Sequence, residues 1–228
     1  AKPLQTKGWL EKIQNWKEEH PLGMNHRYPG LNPEKIICKI NELFPDAIVT
    51  TDVGQNQLWT TQFLSMTGKR QLLTSGGLGT MGYGLPAAIG AQLGNPDQRV
   101  IAISGDGGMQ MNIQEMATAM CQELPLILCV LNNSWLGNVR QWQEMFFDKR
   151  YSATCLRYRK GCSRDCLNPE KCCPPYTPDF VKLAESYGAQ AIRVEQAEDL
   201  EAAFVAAKNE TKRPTLIEFL IDPEANVS

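Results

Sequence analysis

The stretch from Gly105 to Asn133 constrains the fold more than any other part of the sequence. Residues 99–104, directly before it, form a β-branched apolar run that is typical of a buried parallel strand. Apolar residues then recur at helical spacing over 113–121, and after Pro125 a second buried-strand pattern covers 126–131. We therefore predict a βαβ unit with polar residues at the carboxyl ends of two parallel strands, where open α/β sheets bind ligands.

Those polar residues have the chemistry of a metal and phosphate site. Gly105-Asp-Gly107 follows the first strand, and the pair Asn132-Asn133 ends the second, with Asn133 standing 27 residues after Asp106. Carboxylate and amide oxygens suit Mg²⁺ or Ca²⁺, and glycines let the backbone of a helix N-terminus approach a phosphate. A glycine-rich turn with a capping Asp would explain the first motif alone, but the paired asparagines favour a diphosphate site.

The rest of the chain alternates strand and helix patterns. Further strands are predicted at 47–51, 191–194 and 214–221, with amphipathic helices between them. This order predicts an α/β fold, a doubly wound parallel sheet with helices on both faces. Because no linker divides the chain, we expect one domain over 1–228, interrupted by a Cys-rich insert at about 153–177.

Composition narrows the functional classes. The net charge of −2 gives no sign of nucleic acid as a partner. No run approaches the ~18 apolar residues of a membrane span, and the first residues lack the apolar core of a signal peptide. We expect a cytoplasmic protein without nucleic-acid or membrane partners. Since the chain does not begin with Met, we also expect a processed chain or a fragment of a longer enzyme.

Five stretches occur here in the same order as in one known family. They are Thr51-Asp-Val-Gly-Gln55, Ser75-Gly-Gly-Leu-Gly-Thr-Met-Gly-Tyr-Gly84 with its continuation to Ala88, Gly105-Asp-Gly107, Asn132-Asn133 and Leu136-Gly-Asn-Val-Arg-Gln-Trp142. With these motifs the chain resembles the carboxyl-terminal domain of the acetolactate synthase (acetohydroxyacid synthase) catalytic subunit. That domain has the thiamine diphosphate-binding fold.

The resemblance implies roles for matching positions. It implies Mg²⁺ ligands at Asp106, Asn133 and the backbone carbonyl of Trp135. The implied thiamine diphosphate contacts are Gly54, Gln55, Gly79, Met81, Asp106, Gly107, Gly108 and Asn133, and the implied substrate-pocket residue is Trp142. Met81 would lie under the cofactor and bend it. Without the resemblance, the residue types alone would favour Met81 as core and Trp142 as a helix anchor.

The resemblance also implies an activity and partners. The reaction would be carboligation of pyruvate with a second 2-oxo acid such as 2-oxobutyrate, the first step of branched-chain amino acid synthesis. The carboxylate that activates the cofactor is expected in a pyrimidine-binding domain of the same enzyme, in a homo-oligomer, so no catalytic side chain is assigned within this chain. The alternatives are a 2-oxo acid decarboxylase, a glyoxylate carboligase, a ferredoxin-linked oxidoreductase subunit, or a non-catalytic diphosphate-binding module.

The chain departs from the family pattern in three places. Asn56 replaces a usual histidine beside the diphosphate, Asn138 replaces a commoner apolar residue, and the Cys-rich insert adds about twenty residues. Disulfides would be unusual in a cytoplasmic enzyme, and metal sites more often use paired C-x2-C motifs. We therefore give equal weight to two interpretations of the insert. One is a surface loop of thiols. The other is a zinc or iron–sulfur site, whose candidate ligands are Cys162, Cys166, Cys172 and Cys173.

Overall fold

A computed structural model of the chain describes residues 6–23, 28–157, 173 and 176–227. Within these ranges the strands form one sheet in the order β2-β1-β3-β4-β6-β5, and every pairing is parallel. The strands are β1 (Ile48–Thr51), β2 (Gln71–Leu73), β3 (Val100–Gly105), β4 (Ile127–Asn132), β5 (Gln190–Val194) and β6 (Thr215–Leu220). The prediction of a parallel sheet is confirmed.

Helices surround the sheet. They are α1 (Lys7–Glu19), α2 (Pro33–Leu43), α3 (Gln55–Phe63), α4 (Gly84–Gly94), α5 (Asp106–Met111), α6 (Met116–Cys121), α7 (Gly137–Phe146), α8 (Phe180–Ser186) and α9 (Leu200–Asn209), with 3₁₀ turns at Ile113–Glu115 and Ala197–Asp199. None of the helices in the described ranges has the length and apolar character needed to cross a bilayer.

Two apolar layers cover the two faces of the sheet. On one face, residues of α2, α3 and α9 pack in one cluster against the central strands, with Trp59 and Phe204 fully buried. On the other face, α4, α5, α6 and α8 form a second cluster around Met116 and Phe180. The near-continuous apolar character of β3 and β4 follows from this burial on both sides. The doubly wound arrangement is therefore confirmed.

The helix predicted after the Gly-Asp-Gly motif is broken. α5 begins at Asp106, directly after β3, and ends at Met111. Asn112 adopts a non-helical conformation, and its Nδ2 donates a hydrogen bond to the carbonyl of Gly82 at 2.8 Å. The helix is interrupted at this tertiary contact. The apolar residues spaced over 113–121 therefore lie partly in a 3₁₀ turn and partly in α6.

Strand order creates a crevice where the chain reverses direction. From β1 the chain moves outward to β2, whereas from β3 it moves to β4 on the other side. The segments that follow β1 and β3 therefore diverge at the carboxyl edge of the sheet, and open α/β sheets bind ligands at such switch points. This edge carries the loop after Thr51 and the turn at Gly105-Asp106.

Candidate functional site

A pocket with about 620 Å³ of empty space lies at the carboxyl ends of β1, β3 and β4. Eight of the predicted positions line it: Gly54, Gln55, Met81, Asp106, Gly107, Gly108, Asn133 and Trp135. Gly79 and Trp142 are not among the lining residues. The sequence motifs, which are far apart along the chain, are thus brought together by the parallel register of three strands.

Asp106 is buried at the start of α5, and only one of its oxygens has a partner. Its Oδ1 accepts a hydrogen bond from the backbone N–H of Gly107 at 2.9 Å, while its buried Oδ2 has no hydrogen-bond partner. Burial raises the pKa of this carboxyl to about 7, although hydrogen bonds from the backbone of Gly107 and Ser134 act in the opposite direction. A buried carboxylate oxygen without a partner is costly, and a bound cation would remove that cost.

Asn133 and Gln55 form a second polar group in the pocket. The Oδ1 of Asn133 accepts from the backbone N–H of Trp135 at 3.0 Å, and its Nδ2 donates to Oε1 of Gln55 at 3.3 Å. The Nε2 of Gln55 donates onward to Oε1 of Gln141 at 2.9 Å. A Cβ at Gly137 would lie 1.9 Å from Oε1 of Gln55, so a side chain there would displace Gln55 and break its hydrogen bond with Asn133.

The two glycines of α5 make room on both sides of the helix N-terminus. A Cβ at Gly107 would lie 2.6 Å from Cδ2 of Leu136, and one at Gly108 would lie 2.3 Å from Oδ1 of Asp52. Either distance is far below normal van der Waals contact. Glycine at both positions therefore lets Leu136 and Asp52 pack directly against the backbone of α5 beside the pocket.

Asp52 is a structural carboxylate whose role the sequence analysis missed. It is buried directly after β1, and its carboxylate accepts hydrogen bonds from the backbone N–H groups of Val53 at 2.8 Å, Gly82 at 3.0 Å and Gly84 at 3.1 Å. These bonds hold the glycine-rich loop against β1 and so hold Met81 at the pocket wall. The available signal was an Asp between a strand and a glycine. The N–H groups of Gly82 and Gly84, from which its carboxylate accepts, lie about thirty residues further along the chain.

Asn56, which departs from the family pattern, lies inside the pocket. It is buried in the first turn of α3, and its Nδ2 donates to the carbonyl of Val53 at 3.3 Å. Its buried Oδ1 has no hydrogen-bond partner. This oxygen would accept a hydrogen bond from a donor on a bound ligand or on water, a contact different from that of the cationic or donor histidine usual at this position.

The remaining predicted positions, Gly79 and Trp142, are exposed and lie outside the pocket lining. Gly79 is exposed and has a φ of +65°, which favours glycine in this loop. Trp142 lies on α7 with 53% of its surface exposed, and Asn138, on the same helix, lines the pocket. The substrate-pocket role of Trp142 therefore stays a prediction.

The donor set fits a hard divalent cation. In the part of the chain that the structure describes, no group of three or more His, Cys, Asp or Glu side chains is arranged to hold a metal ion. The pocket offers instead one carboxylate, from Asp106, together with the side-chain amide of Asn133 and the backbone around Trp135. Mg²⁺ is commonly bound by one or two carboxylates with phosphate oxygens completing its shell, so a cation and a diphosphate fit this pocket together.

The structure describes one of the four candidate cysteine ligands. Cys162, Cys166 and Cys172 lie outside the described residues, whereas Cys173 is buried. The sequence analysis left the insert open between a thiol loop and a metal site, and both readings stay predictions. Cys129 is buried in β4, but Cys38 and Cys121, which sit in apolar segments, are exposed because they fall on the outer sides of α2 and α6.

Comparison with known proteins identifies the type of domain. The family model for the thiamine pyrophosphate enzyme C-terminal TPP-binding domain matches residues 52–219. The match begins at the buried Asp52, directly after β1, and ends in β6, so it includes every residue that lines the pocket.

Three relatives are all named acetolactate synthase large subunit. The chain is 42% identical over 214 residues to that of Parasynechococcus marenigrum, covering 94% of this chain and 32% of the relative. It is 41% identical over 222 residues to that of Cyanidium caldarium, covering 97% and 35%. The protein of Corynebacterium glutamicum is 41% identical over 222 residues, covering 96% and 33%. The chain spans about a third of the length of these curated relatives.

The pocket and the comparisons agree. The crevice at the switch point, two glycines at a helix N-terminus and a buried carboxylate lie within the segment that the family model matches. The chain therefore belongs to the thiamine pyrophosphate enzymes and carries their C-terminal TPP-binding domain.

Proposed function

We propose that this chain is the cofactor-binding part of an acetolactate synthase that joins pyruvate to a second 2-oxo acid. The observation that carries the proposal is the pocket in which Asp106 Oδ2, Asn133 and the α5 N-terminus converge. The names and identities of the three relatives support this member of the family over a decarboxylase, a glyoxylate carboligase or a ferredoxin-linked subunit.

The residues of the chain would bind the cofactor and shape its surroundings. Backbone N–H groups at Gly54, Gln55, Gly107 and Gly108 would hold the diphosphate, since both helix N-termini face the pocket. Asp106, Asn133 and the Trp135 carbonyl would hold Mg²⁺, which neutralises the diphosphate charge. Met81 would pack against the cofactor. The bound thiamine diphosphate supplies the reactive carbon for decarboxylation and carbon–carbon bond formation.

The partners of the proposed enzyme follow from the same reasoning. Pyruvate and 2-oxobutyrate are the proposed substrates, and a pyrimidine-binding domain of the same enzyme would cover the open side of the pocket in a homo-oligomer. A cytoplasmic location is also a prediction. The experiment that tests the function is product analysis of the native full-length protein with pyruvate, thiamine diphosphate and Mg²⁺. We expect acetolactate; acetaldehyde without acetolactate would instead identify a decarboxylase.

Replacing Trp142 with leucine should change acceptor choice more than pyruvate decarboxylation. The exposed indole lies on α7, two positions past Arg140 and on the helix whose first residues line the pocket. Its loss would therefore alter the surface met by the second substrate and leave the cofactor contacts in place. The measurement is the ratio of acetohydroxybutyrate to acetolactate formed from mixed pyruvate and 2-oxobutyrate.

The matched control is Phe146→Leu, on the same helix and also exposed, nine positions from the helix start. We expect its product ratio to stay close to that of the wild type. Identical ratios for Trp142→Leu and the wild-type enzyme would contradict the proposed role of Trp142.

A further inference from the structure

Glu218 is a buried carboxylate near the pocket that the proposed function does not use. It lies on β6 and is 2% exposed, with Val130 of β4 and Arg193 of β5 beside it in the sheet register. It does not line the cofactor pocket. A charged side chain inside a sheet is costly unless its oxygens are paired, so its partners show what it does there.

Both oxygens of Glu218 have specific partners. Oε1 accepts a hydrogen bond from Nδ2 of Asn132 at 2.7 Å, and Oε2 accepts from Nε of Arg193 at 2.8 Å. The guanidinium of Arg193 also donates to Oδ1 of Asp179, at 2.7 Å. Arg193 thus holds one carboxylate oxygen of Glu218, and the other oxygen holds the side chain of Asn132.

Asn132 transmits this restraint to the turn that follows β4. Its Oδ1 accepts from the backbone N–H of Ser134 at 3.0 Å. Ser134 has a φ of +61°, a strained conformation for a non-glycine residue that persists only where neighbouring contacts enforce it. A bond from the backbone N–H of Leu156 to the Ser134 carbonyl, at 2.8 Å, restrains the other side of the turn.

The geometry of this turn determines where the proposed metal ligands lie. Asn133 and Trp135 flank Ser134, and the backbone N–H of Trp135 donates to Asn133 Oδ1 at 3.0 Å. Relaxation of the Ser134 turn would therefore displace two of the three proposed ligands relative to Asp106.

We propose that Glu218 is a positioning residue for the divalent-cation site: by holding Asn132, it keeps the left-handed Ser134 turn, and with it Asn133 and the Trp135 carbonyl, in place against Asp106. This inference rests on the proposed function, because it takes the cation site as given. It assigns a role in holding the metal to a residue outside the pocket. The strand that carries this residue, β6, contributes no residue to the pocket lining.

The test is the affinity of the native full-length protein for Mn²⁺ in the presence of thiamine diphosphate, measured from the electron paramagnetic resonance signal of free Mn²⁺. Glu218→Gln keeps the shape of the side chain but has only one acceptor oxygen. The NH₂ group of the new glutamine would therefore face a hydrogen-bond donor, either Nδ2 of Asn132 or Nε of Arg193, and one of the two hydrogen bonds would be lost. We expect the Kd for Mn²⁺ to rise by about 10-fold or more, as is typical when a partner that orients a metal ligand is removed.

A double variant provides the rescue. In Glu218→Gln combined with Asn132→Asp, the new glutamine can donate to the new aspartate and accept from Arg193, and the aspartate can still accept from the N–H of Ser134. Asn132→Asp alone places two carboxylates face to face and should weaken binding. The double variant should recover most of the affinity. An unchanged Kd in Glu218→Gln, or a loss that the double variant does not recover, overturns the inference.

Thr215→Val is the matched structural control. Thr215 is the first residue of β6, three positions before Glu218. It is buried, and its Oγ1 donates a hydrogen bond to Oε1 of Gln190 at 2.9 Å. Its loss should lower the melting temperature without changing the Kd for Mn²⁺. If the wild-type protein binds no Mn²⁺ with thiamine diphosphate, the proposed cofactor site itself is rejected. If Asp106-dependent binding is present and Glu218→Gln leaves it unchanged, the positioning role alone is rejected.

Discussion

Replacing Asp106 with alanine is expected to abolish Mg²⁺-dependent binding of thiamine diphosphate. Asp106 is the one carboxylate among the described residues that line the pocket, and its Oδ2 is buried without a partner. Without it, Mg²⁺ would meet only neutral oxygens from the protein, which hold a divalent cation poorly against its hydration shell. Isothermal titration calorimetry of the native full-length protein with thiamine diphosphate, with and without Mg²⁺, measures the loss.

Glu115→Ala is the control for this variant. Glu115 lies in the 3₁₀ turn that follows α5, accepts from Oγ1 of Thr118 at 2.8 Å, and does not line the pocket. Its removal changes the net charge by the same amount and should leave cofactor binding unchanged. Mg²⁺-dependent binding that survives in Asp106→Ala would show that the cation site is elsewhere.

The burial of Asp106 also predicts a stability cost in the absence of a cation. Its pKa of about 7 in the folded chain lies above the ordinary value of about 4 in the unfolded chain. The cost is therefore absent below about pH 4, grows as the pH rises, and is complete above about pH 7. The neutral variant Asp106→Asn should melt at a higher temperature than the cation-free wild type at about pH 8, by about 2–4 °C for each kcal/mol, and should lose this advantage at about pH 4.

Much of the fold could be predicted from apolar patterns, and the failures have local causes. The strand β2 was not predicted because it has three residues and none of them is buried, so it leaves little pattern to detect. Trp9, Leu10 and Trp16 recur at helical spacing in α1, but none of the residues of α1 is buried and these three remain exposed. Periodicity reports local structure, whereas burial depends on what the rest of the chain places opposite.

The site was predictable where its chemistry lies in short motifs. Gly105-Asp-Gly107 and Asn132-Asn133 could be placed together because they end neighbouring parallel strands, whose register the structure gives as Gly105 beside Leu131. The role of Asp52 could not be derived in this way, since its acceptor atoms meet N–H groups of Gly82 and Gly84 only after the loop has folded back. Glu218 was hidden for the same reason within an ordinary strand pattern.

The second large effect concerns the 228-residue chain expressed alone: we expect it to fold, to bind thiamine diphosphate weakly, and not to convert pyruvate. By the family resemblance, activation of the cofactor needs a carboxylic side chain beside the aminopyrimidine. Asp106 is the carboxylate of the described pocket lining, and its proposed role is to hold the cation. A general acid or base acts only within hydrogen-bond reach, so the pocket lining formed by the described residues leaves no further carboxylate for this step.

The surface around the pocket supports the same expectation. Leu78 of the glycine-rich loop is 95% exposed, and Val139, which lines the pocket, is 43% exposed. Large apolar side chains on a free surface are typical of contacts with another domain or subunit, and an uncovered pocket leaves the cofactor open to water. The measurement is acetolactate formation by the purified chain with thiamine diphosphate and Mg²⁺, with the native full-length protein as the positive control. Turnover by the chain that disappears in its Asp106→Ala variant would exclude contamination and show that the activating carboxylate lies within these residues.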